Sequence, residues 1–297
     1  MRKGSLSDRS DSPKLPFIDA SEERIFQRKQ ALVKQKQTIE QLESAAKRQF
    51  VEDQHDLAYA TGTQLLKVAI EAYGMSSVQL ISPYVLIGSA ALGLEKIPQA
   101  EKYLSQAQWI LLRHPGCDAT FTSLVCRHLG LLYMSQGNYE RARKMIADDI
   151  YHLTMKYGID DVRVAMGYYH LGNSFIKEGR LVVAVSLHDR VIQMYLDYFQ
   201  SDEVAKATEF ALNENEEIEC DKMLQHIRDA WEDDPDDVKS ESFIRLYKCL
   251  ALLHDRRGNK ALMLEYADKA MQVNQSLPTP SAQLVQDLTA LINASRS

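Results

Sequence analysis

Apolar and small residues follow a fixed order in the middle of the chain, and the segment HLGLLYMSQGNYERARKMI (128–146) shows that order once. Its large apolar residues, among them Leu129, Tyr133 and Ile146, recur at intervals typical of the buried face of a helix. The pair Gly137-Asn138 interrupts the pattern and marks a turn. The segment therefore predicts two helices joined by a short turn.

The same order recurs 42 residues upstream and 42 residues downstream. A glycine position repeats as Gly88, Gly130 and Gly172, and an alanine position repeats as Ala100, Ala142 and Ala184. A weaker copy upstream contains Ala58, but Asp53-Gln54-His55 replaces its glycine turn. A further copy covers 247–270. A glycine inside a helix costs about 1 kcal/mol relative to alanine, so the repeated glycine indicates close packing between two helices.

These positions resemble the tetratricopeptide pattern, in which the first helix of each repeat carries Leu-Gly and an aromatic residue and the second carries alanine. The resemblance implies an all-α fold, a tetratricopeptide-type helical-hairpin solenoid with 42-residue repeats. Gly74 and Gly158 are expected to end second helices in the left-handed conformation, with Pro115-Gly116 at the equivalent place between them.

The repeat pattern divides the chain into a disordered segment, 1–21, and a solenoid, 22–297. A single long helix is expected from Glu22 to about Phe50, with Ile25, Leu32, Ile39 and Ala46 at sevenfold spacing. The repeats are predicted near 39–73, 81–115, 123–157, 165–199 and 244–277, with a degenerate acidic insert at 201–240.

Charge is distributed unevenly along the chain. Residues 1–50 hold 11 Lys and Arg against 7 Asp and Glu, whereas residues 201–240 hold 4 against 14. The acidic middle of the chain argues against a nucleic-acid surface. We interpret 201–240 as a solvated, degenerate helix pair with an acidic loop around 233–237, in preference to a docking site for a basic partner. No stretch approaches 18 uninterrupted apolar residues, so no membrane partner is expected.

No catalytic or metal-binding pattern emerges from the sequence. Cysteines occur at 117, 126, 220 and 249 without any C-x-x-C pair, so neither a zinc module nor a disulfide framework is expected. Gly88 and Gly93 have phosphate-loop spacing, but Leu-Glu follows where Lys-Ser or Lys-Thr is required. His128 and His170 occupy equivalent repeat positions, where a structural role is favoured. The sequence therefore predicts a non-enzymatic protein without cofactor.

The first helices of such a solenoid line its concave face, and these positions can be assigned from the repeat. Most are apolar, so the groove suits an amphipathic helix or an extended apolar segment of a partner. The alternative is that another helix of the same chain covers some of them. The predicted partner-binding residues are Val85, Ser89, Leu92, Leu124, Arg127, Leu131, Met134, Met166, Tyr169, Asn173 and Ile176.

A more specific resemblance rests on the segment 73–173. The motifs QAEKYLSQAQW (99–109), NYERAR (138–143) and ADDIY (147–151) go beyond what tetratricopeptide packing requires. With them, the segment resembles the repeat domain of the zinc finger MYND domain-containing protein 12 family. The first 116 residues contain no cysteine, so the zinc finger of that family is missing from this sequence.

The resemblance implies a scaffold subunit of the motile-cilium axoneme, made in the cytoplasm before assembly. The implied partners are a single-headed inner-arm dynein heavy chain, a second tetratricopeptide protein (number 29 of its series) and other proteins of the doublet microtubule. The alternative is a cytoplasmic tetratricopeptide adaptor for cargo transport or dynein assembly that resembles kinesin light chain.

Overall fold

The computed structural model describes residues 20–200, 211–233, 238 and 240–296. Almost all of these residues lie in α-helices, and no β-strand occurs among them, so the predicted all-α class is confirmed. Residues 1–19 of the segment predicted to be disordered lie outside this part of the chain, as do 201–210 and 234–237. The helices are α1 (Ala20–Val51), α2 (His55–Tyr73), α3 (Ile81–Gly93), α4 (Ile97–Arg113), α5 (Ala119–Ser135), α6 (Tyr139–Tyr157), α7 (Ala165–Ile176), α8 (Leu181–Gln200), α9 (Glu214–Glu232), α10 (Ser240–Arg256), α11 (Lys260–Ser276) and α12 (Ala282–Arg296).

Ten of these helices pair into antiparallel hairpins, and consecutive hairpins stack against each other. The pairs are α1–α2, α3–α4, α5–α6, α7–α8 and α10–α11, and α12 packs on α11 at the C-terminal end. Helices α4, α6 and α8 begin at residues 97, 139 and 181, which are 42 residues apart. The first helices of the three middle hairpins, α3, α5 and α7, line one common side of the stack, the inner side, and their second helices, α4, α6 and α8, form the outer side.

The repeated glycines lie where the two helices of a hairpin come closest. A Cβ atom on Gly88 would lie 2.7 Å from Cγ of Leu104, and one on Gly130 would lie 2.6 Å from Cγ1 of Ile146. The opposing Ala100 and Ala142 are fully buried. Any side chain at the glycine would therefore overlap the second helix, which explains why these helices tolerate the cost of glycine.

The turn inside each hairpin contains a residue in the left-handed conformation, as a helix end of this kind requires. Gly137 and Gly179 have φ of 74° and 72°, and Asp53 and Glu95 take the equivalent positions with φ of 61° and 57°. The turn of the first hairpin therefore has the same backbone as the others, although its sequence differs. Gly74 and Gly158 also have positive φ after α2 and α6. The expected counterpart Gly116 does not, and α4 ends at Arg113 with His114 as its C-cap.

The part of the acidic stretch that the structure describes is a packed helix and not a solvated one, whereas the rest of the predicted helix pair and its acidic loop lies outside the described residues. Residues 214–232 form one helix, α9, whose N-terminus has a capping box between Asn213 and Glu216. Its apolar residues recur at helical spacing between the acidic ones and are buried, with Trp231 fully enclosed. This segment is therefore an amphipathic helix that buries one face in spite of its high charge.

Candidate protein-binding cavity

A cavity of about 700 Å³ lies on the inner side of the stacked hairpins. Helices α3, α5 and α7, the first helices of three consecutive hairpins, form its floor. The C-terminal end of α1 and one face of α9 form its sides. Because the floor helices belong to different hairpins, the cavity exists only once the hairpins are stacked.

Seven of the predicted concave residues line this cavity. Val85 and Ser89 come from α3, Leu124, Arg127 and Leu131 from α5, and Met166 and Tyr169 from α7. The remaining four, Leu92, Met134, Asn173 and Ile176, lie closer to the C-terminal ends of the same helices, outside the cavity. The difference arises because α1 and α9 enclose only the first part of each floor helix.

The only charged side chain among the predicted residues, Arg127, is neutralised by a buried carboxylate. Its Nε donates to Oδ2 of Asp149 at 2.8 Å and its Nη2 donates to Oδ1 at 3.1 Å. Ser123 donates a further hydrogen bond to Asp149, which is fully buried on α6. Burial disfavours the charged form of Arg127, but Asp149 outweighs it, and the pKa of Arg127 lies above its ordinary value. The pair fixes α5 against α6 and leaves the floor of the cavity close to neutral.

Two histidines at equivalent repeat positions add polar groups to the floor. Burial lowers the pKa of His128 to about 4, and burial, with Arg127 next, takes the pKa of His170 well below its ordinary value. Nδ1 of His128 lies 2.8 Å from the carbonyl oxygen of Leu124 and must donate to it, which leaves Nε2 as an acceptor. At neutral pH both rings are therefore uncharged, and they offer hydrogen bonds without charge.

Helix α9 contributes the opposing wall, which the repeat pattern does not predict. His226 of α9 contacts the ring of Tyr169 edge-on, with the ring centroids 5.8 Å apart. Glu219 lines the cavity beside Arg127, and burial raises the pKa of its carboxyl. No hydrogen bond reaches the Glu219 side chain from any residue that the structure describes. Glu219 is thus an acceptor on the cavity wall that a ligand could use.

The N-terminal half of α9 lies against the first hairpin at one side of the cavity. Lys222 forms an ion pair with Asp53, in the turn between α1 and α2. Lys47 of α1 is among the cations that lower the pKa of Glu219. Helix α9 and the first hairpin therefore touch at the side of the cavity, and the ion pair between them is exposed. Such contacts contribute little to stability, roughly 0–1 kcal/mol for an exposed ion pair.

Another helix of the same chain, α9, covers part of the predicted groove. The alternative that a helix of the same chain covers part of the groove holds for Tyr169, which contacts α9.

The sequence contains an apolar pattern that predicts α9 as a packed helix. Cys220, Met223, Leu224, Ile227 and Trp231 recur at the spacing of one helical face. This periodicity predicts a packed helix, but it does not say that the helix crosses the concave side of three earlier hairpins.

Neither a metal centre nor a membrane-spanning helix was found in the described part of the chain. Over residues 20–200, 211–233, 238 and 240–296, no cluster of three or more His, Cys, Asp or Glu side chains has the geometry to hold a metal ion. Within the same ranges, no helix combines the length and the apolar character needed to span a bilayer.

No family model matches the chain. Among solved structures the chain is similar to BtubC (BKLC) from P. vanneervenii, with 14% sequence identity, 89% of this chain and 96% of that chain covered, and a TM-score of 0.48. At this identity and TM-score the similarity carries no information about partners. The class that the architecture defines is an all-α protein of stacked helical hairpins.

Proposed function

We propose that this protein is a non-enzymatic adaptor that binds an amphipathic helix or an extended apolar segment of a partner protein in the cavity formed by α3, α5, α7 and α9. The observation that carries the proposal is the cavity itself, which combines apolar side chains from three hairpins with a few polar groups on its floor and walls. Ligand sites in proteins typically combine these features. Arg127, His128 and Glu219 would fix the register of the bound segment through hydrogen bonds.

The finer proposal is that the partner belongs to the axoneme of motile cilia. It rests on the resemblance of the segment 73–173 to the zinc finger MYND domain-containing protein 12 family. The proposed partners are an inner-arm dynein heavy chain and a protein like tetratricopeptide protein 29. A stack of hairpins suits a scaffold, because each repeat contacts its neighbours through a continuous core and holds its partners at fixed positions.

Substitution of the cavity floor tests the adaptor proposal. We expect Leu131→Ala with Met166→Ala to reduce recovery of the partner from ciliated-cell extract by about tenfold or more, if the two side chains form part of a hot spot. The matched control is Met134→Ala with Ile176→Ala, which removes two apolar side chains of the same helices outside the cavity. Mass spectrometry of the captured proteins gives the readout. Equal recovery with both double variants would place the interface elsewhere.

Fractionation tests the finer proposal separately. Detergent-treated cilia extracted with high salt should release the protein together with inner-arm dyneins if it is bound to them. A protein found in the cytoplasm and scarce in the axoneme would instead be a cargo or assembly adaptor, and the ciliary proposal would be wrong while the adaptor proposal could still hold.

A further inference from the structure

The cations that line the cavity are already paired with carboxylates of the same chain. The lysine, arginine, aspartate and glutamate side chains in the lining are Lys47, Asp53, Arg127, Glu216, Glu219 and Lys222. The ion pairs are Lys47 with Glu43, Arg127 with Asp149 and Lys222 with Asp53. Together with these partners, five carboxylates face three cations. The balance of charge around the cavity is therefore negative.

Two carboxylates of the lining, Glu216 and Glu219, form no ion pair with any residue that the structure describes, and they differ in their surroundings. Oε2 of Glu216 accepts a hydrogen bond of 2.8 Å from the backbone nitrogen of Asn213, in the first turn of α9, where the helix dipole also favours a negative charge. Glu219 lies almost one turn further along α9. No described residue donates a hydrogen bond to it, and burial raises the pKa of its carboxyl. Glu219 is thus a largely desolvated carboxylate whose hydrogen-bonding capacity is unused.

Two histidines of the cavity floor have unused acceptors near Glu219. Nε2 of His128 has no partner among the described residues and is not enclosed by protein, and the same holds for both ring nitrogens of His170. A neutral histidine keeps one ring nitrogen as an acceptor. Burial is the main cause of the shifted pKa values of Glu219, His128 and His170, and Arg127 is among the charges that act on each of them. Arg127 is therefore their common neighbour, which places all three groups at one part of the cavity.

The other titratable groups of the lining do not supply a cation for Glu219. Burial lowers the pKa of His226, on which Asp229 and Lys177 act with opposite signs. His55 packs against Phe50 of the first hairpin, with the ring centroids 5.4 Å apart. Within the described part of the chain, the space beside Glu219 is thus lined by acceptors and by cations that have other partners.

We propose that the cavity binds a basic side chain of the partner, a lysine or an arginine, through an ion pair with Glu219 and hydrogen bonds to His128 and His170. This inference rests on the proposed function, in which a partner segment enters the cavity, and it adds that the segment carries a basic residue between apolar ones. Ammonium and guanidinium groups are donors only, so they match a site made of acceptors. Hydrogen bonds between charged groups are the strong ones. Leu131 and Met166 of the floor would contact the apolar stem of the basic side chain.

Selection from a random library of short peptides displayed on phage tests the proposal without a known partner. We expect the immobilised full chain to enrich peptides that combine apolar residues with one lysine or arginine. Glu219→Gln should keep the apolar preference and lose the basic one, because glutamine has nearly the same shape but no charge. The matched control is Glu217→Gln, on the same helix, whose carboxylate pairs with Arg256 at 2.9 Å and does not line the cavity. This control should select the same peptides as the parent.

Affinities of one selected peptide give the size of the effect. The peptide is synthesised with its lysine or with norleucine, which has the same stem without the charge, and binding is followed by fluorescence anisotropy. We expect Glu219→Gln to weaken binding of the lysine peptide at least about tenfold and to change binding of the norleucine peptide by less than about threefold. Circular dichroism checks that the variant is folded.

Three results would overturn the proposal, and they are distinguishable from each other. Apolar enrichment without a basic residue, or a basic preference that survives in Glu219→Gln, would refute the role of Glu219 and leave the adaptor proposal standing. Enrichment of acidic peptides would assign the site to Lys47 and Lys222 instead. Equal selection by the parent and by the Leu131→Ala, Met166→Ala variant would show that the cavity does not bind peptides, so the proposed function would fail as well.

Discussion

The repeated glycine shows how a single residue can set the distance between two helices. At Gly130 a Cβ atom would lie 2.6 Å from Ile146 and 3.2 Å from the carbonyl oxygen of Ala142. The first neighbour is a side chain that can move, but the second is the backbone of α6. A substitution must therefore push the helices of the hairpin apart, and the next hairpin would have to follow.

We expect Gly130→Leu to lower the free energy of unfolding by about 1–3 kcal/mol through overpacking. The control is Gly116→Leu, because a Cβ atom at Gly116 would meet nothing within 4 Å and its φ is not in the left-handed region; this change should stay within about 0.5 kcal/mol. Urea unfolding followed by circular dichroism measures both. If the two variants unfold alike, the glycine does not control the contact between α5 and α6.

At the scale of the element, α9 shows that a high density of charge does not exclude a packed helix. Acidic residues in its first turn favour the helix by interacting with its N-terminal dipole. The same helix buries Cys220, Leu224, Ile227 and Trp231 against neighbouring helices. Trp231 stacks edge-on against Phe243 of α10, with the ring centroids 5.7 Å apart. Helix α9 is therefore both a structural element and the wall of the cavity.

We expect Trp231→Ala to destabilise the protein by about 3–5 kcal/mol, the range for removing a large buried aromatic side chain. Trp109→Ala is the matched control, since the same side chain is removed from an exposed site; its effect should lie within about 0.5 kcal/mol. Thermal or urea unfolding provides the comparison. A small effect at Trp231 would mean that the acidic stretch is solvated after all.

At the scale of the whole molecule, buried histidines connect stability to pH. Burial lowers the pKa of His128 to about 4 and that of His188 to about 3, and it also lowers the pKa values of His170, His226 and His254. These histidines are distributed from α5 to α10, so their protonation affects most of the stack. In the unfolded chain each would titrate near its ordinary value of 6.5.

We expect the free energy of unfolding to decrease as the pH falls from 6.5 towards 4. In this window the unfolded chain takes up protons at histidines that stay neutral in the folded state, so acid favours unfolding. The contribution of Glu219 to the pH dependence has the opposite sign, because its raised pKa favours the folded state at low pH. The five histidines outnumber this single carboxyl, so their effect determines the direction. Urea unfolding at several pH values measures the slope.

A matched variant isolates one histidine. In His128→Asn the amide nitrogen can replace Nδ1 as donor to the carbonyl of Leu124 without titrating. The dependence of the unfolding free energy on pH should then fall by about one proton, or about 1.4 kcal/mol per pH unit at most. An unchanged slope would show that His128 does not stay neutral in the folded state.

Much of the fold follows from sequence features that act locally. Glycine and alanine at fixed spacing identify the contact between the two helices of a hairpin, because only small residues allow that approach. Polar turns with a left-handed residue separate the helices, although Asp53 and Glu95 show that glycine is not required there. The inner positions Val85, Leu124 and Met166 follow from helical periodicity, which assigns faces without knowledge of the partner helix.

Where the chain folds back on itself was decided only by the tertiary structure. The sequence determined that α9 has an apolar face. It did not determine that this face packs near α8 and α10, or that another face of α9 lines the cavity opposite α3, α5 and α7. Contacts such as Lys222 with Asp53 join residues 169 positions apart, and no local pattern encodes them. Periodicity specifies which side of a helix is buried, whereas the stacking of all the hairpins specifies what lies opposite, and so it decided which concave residues line a cavity.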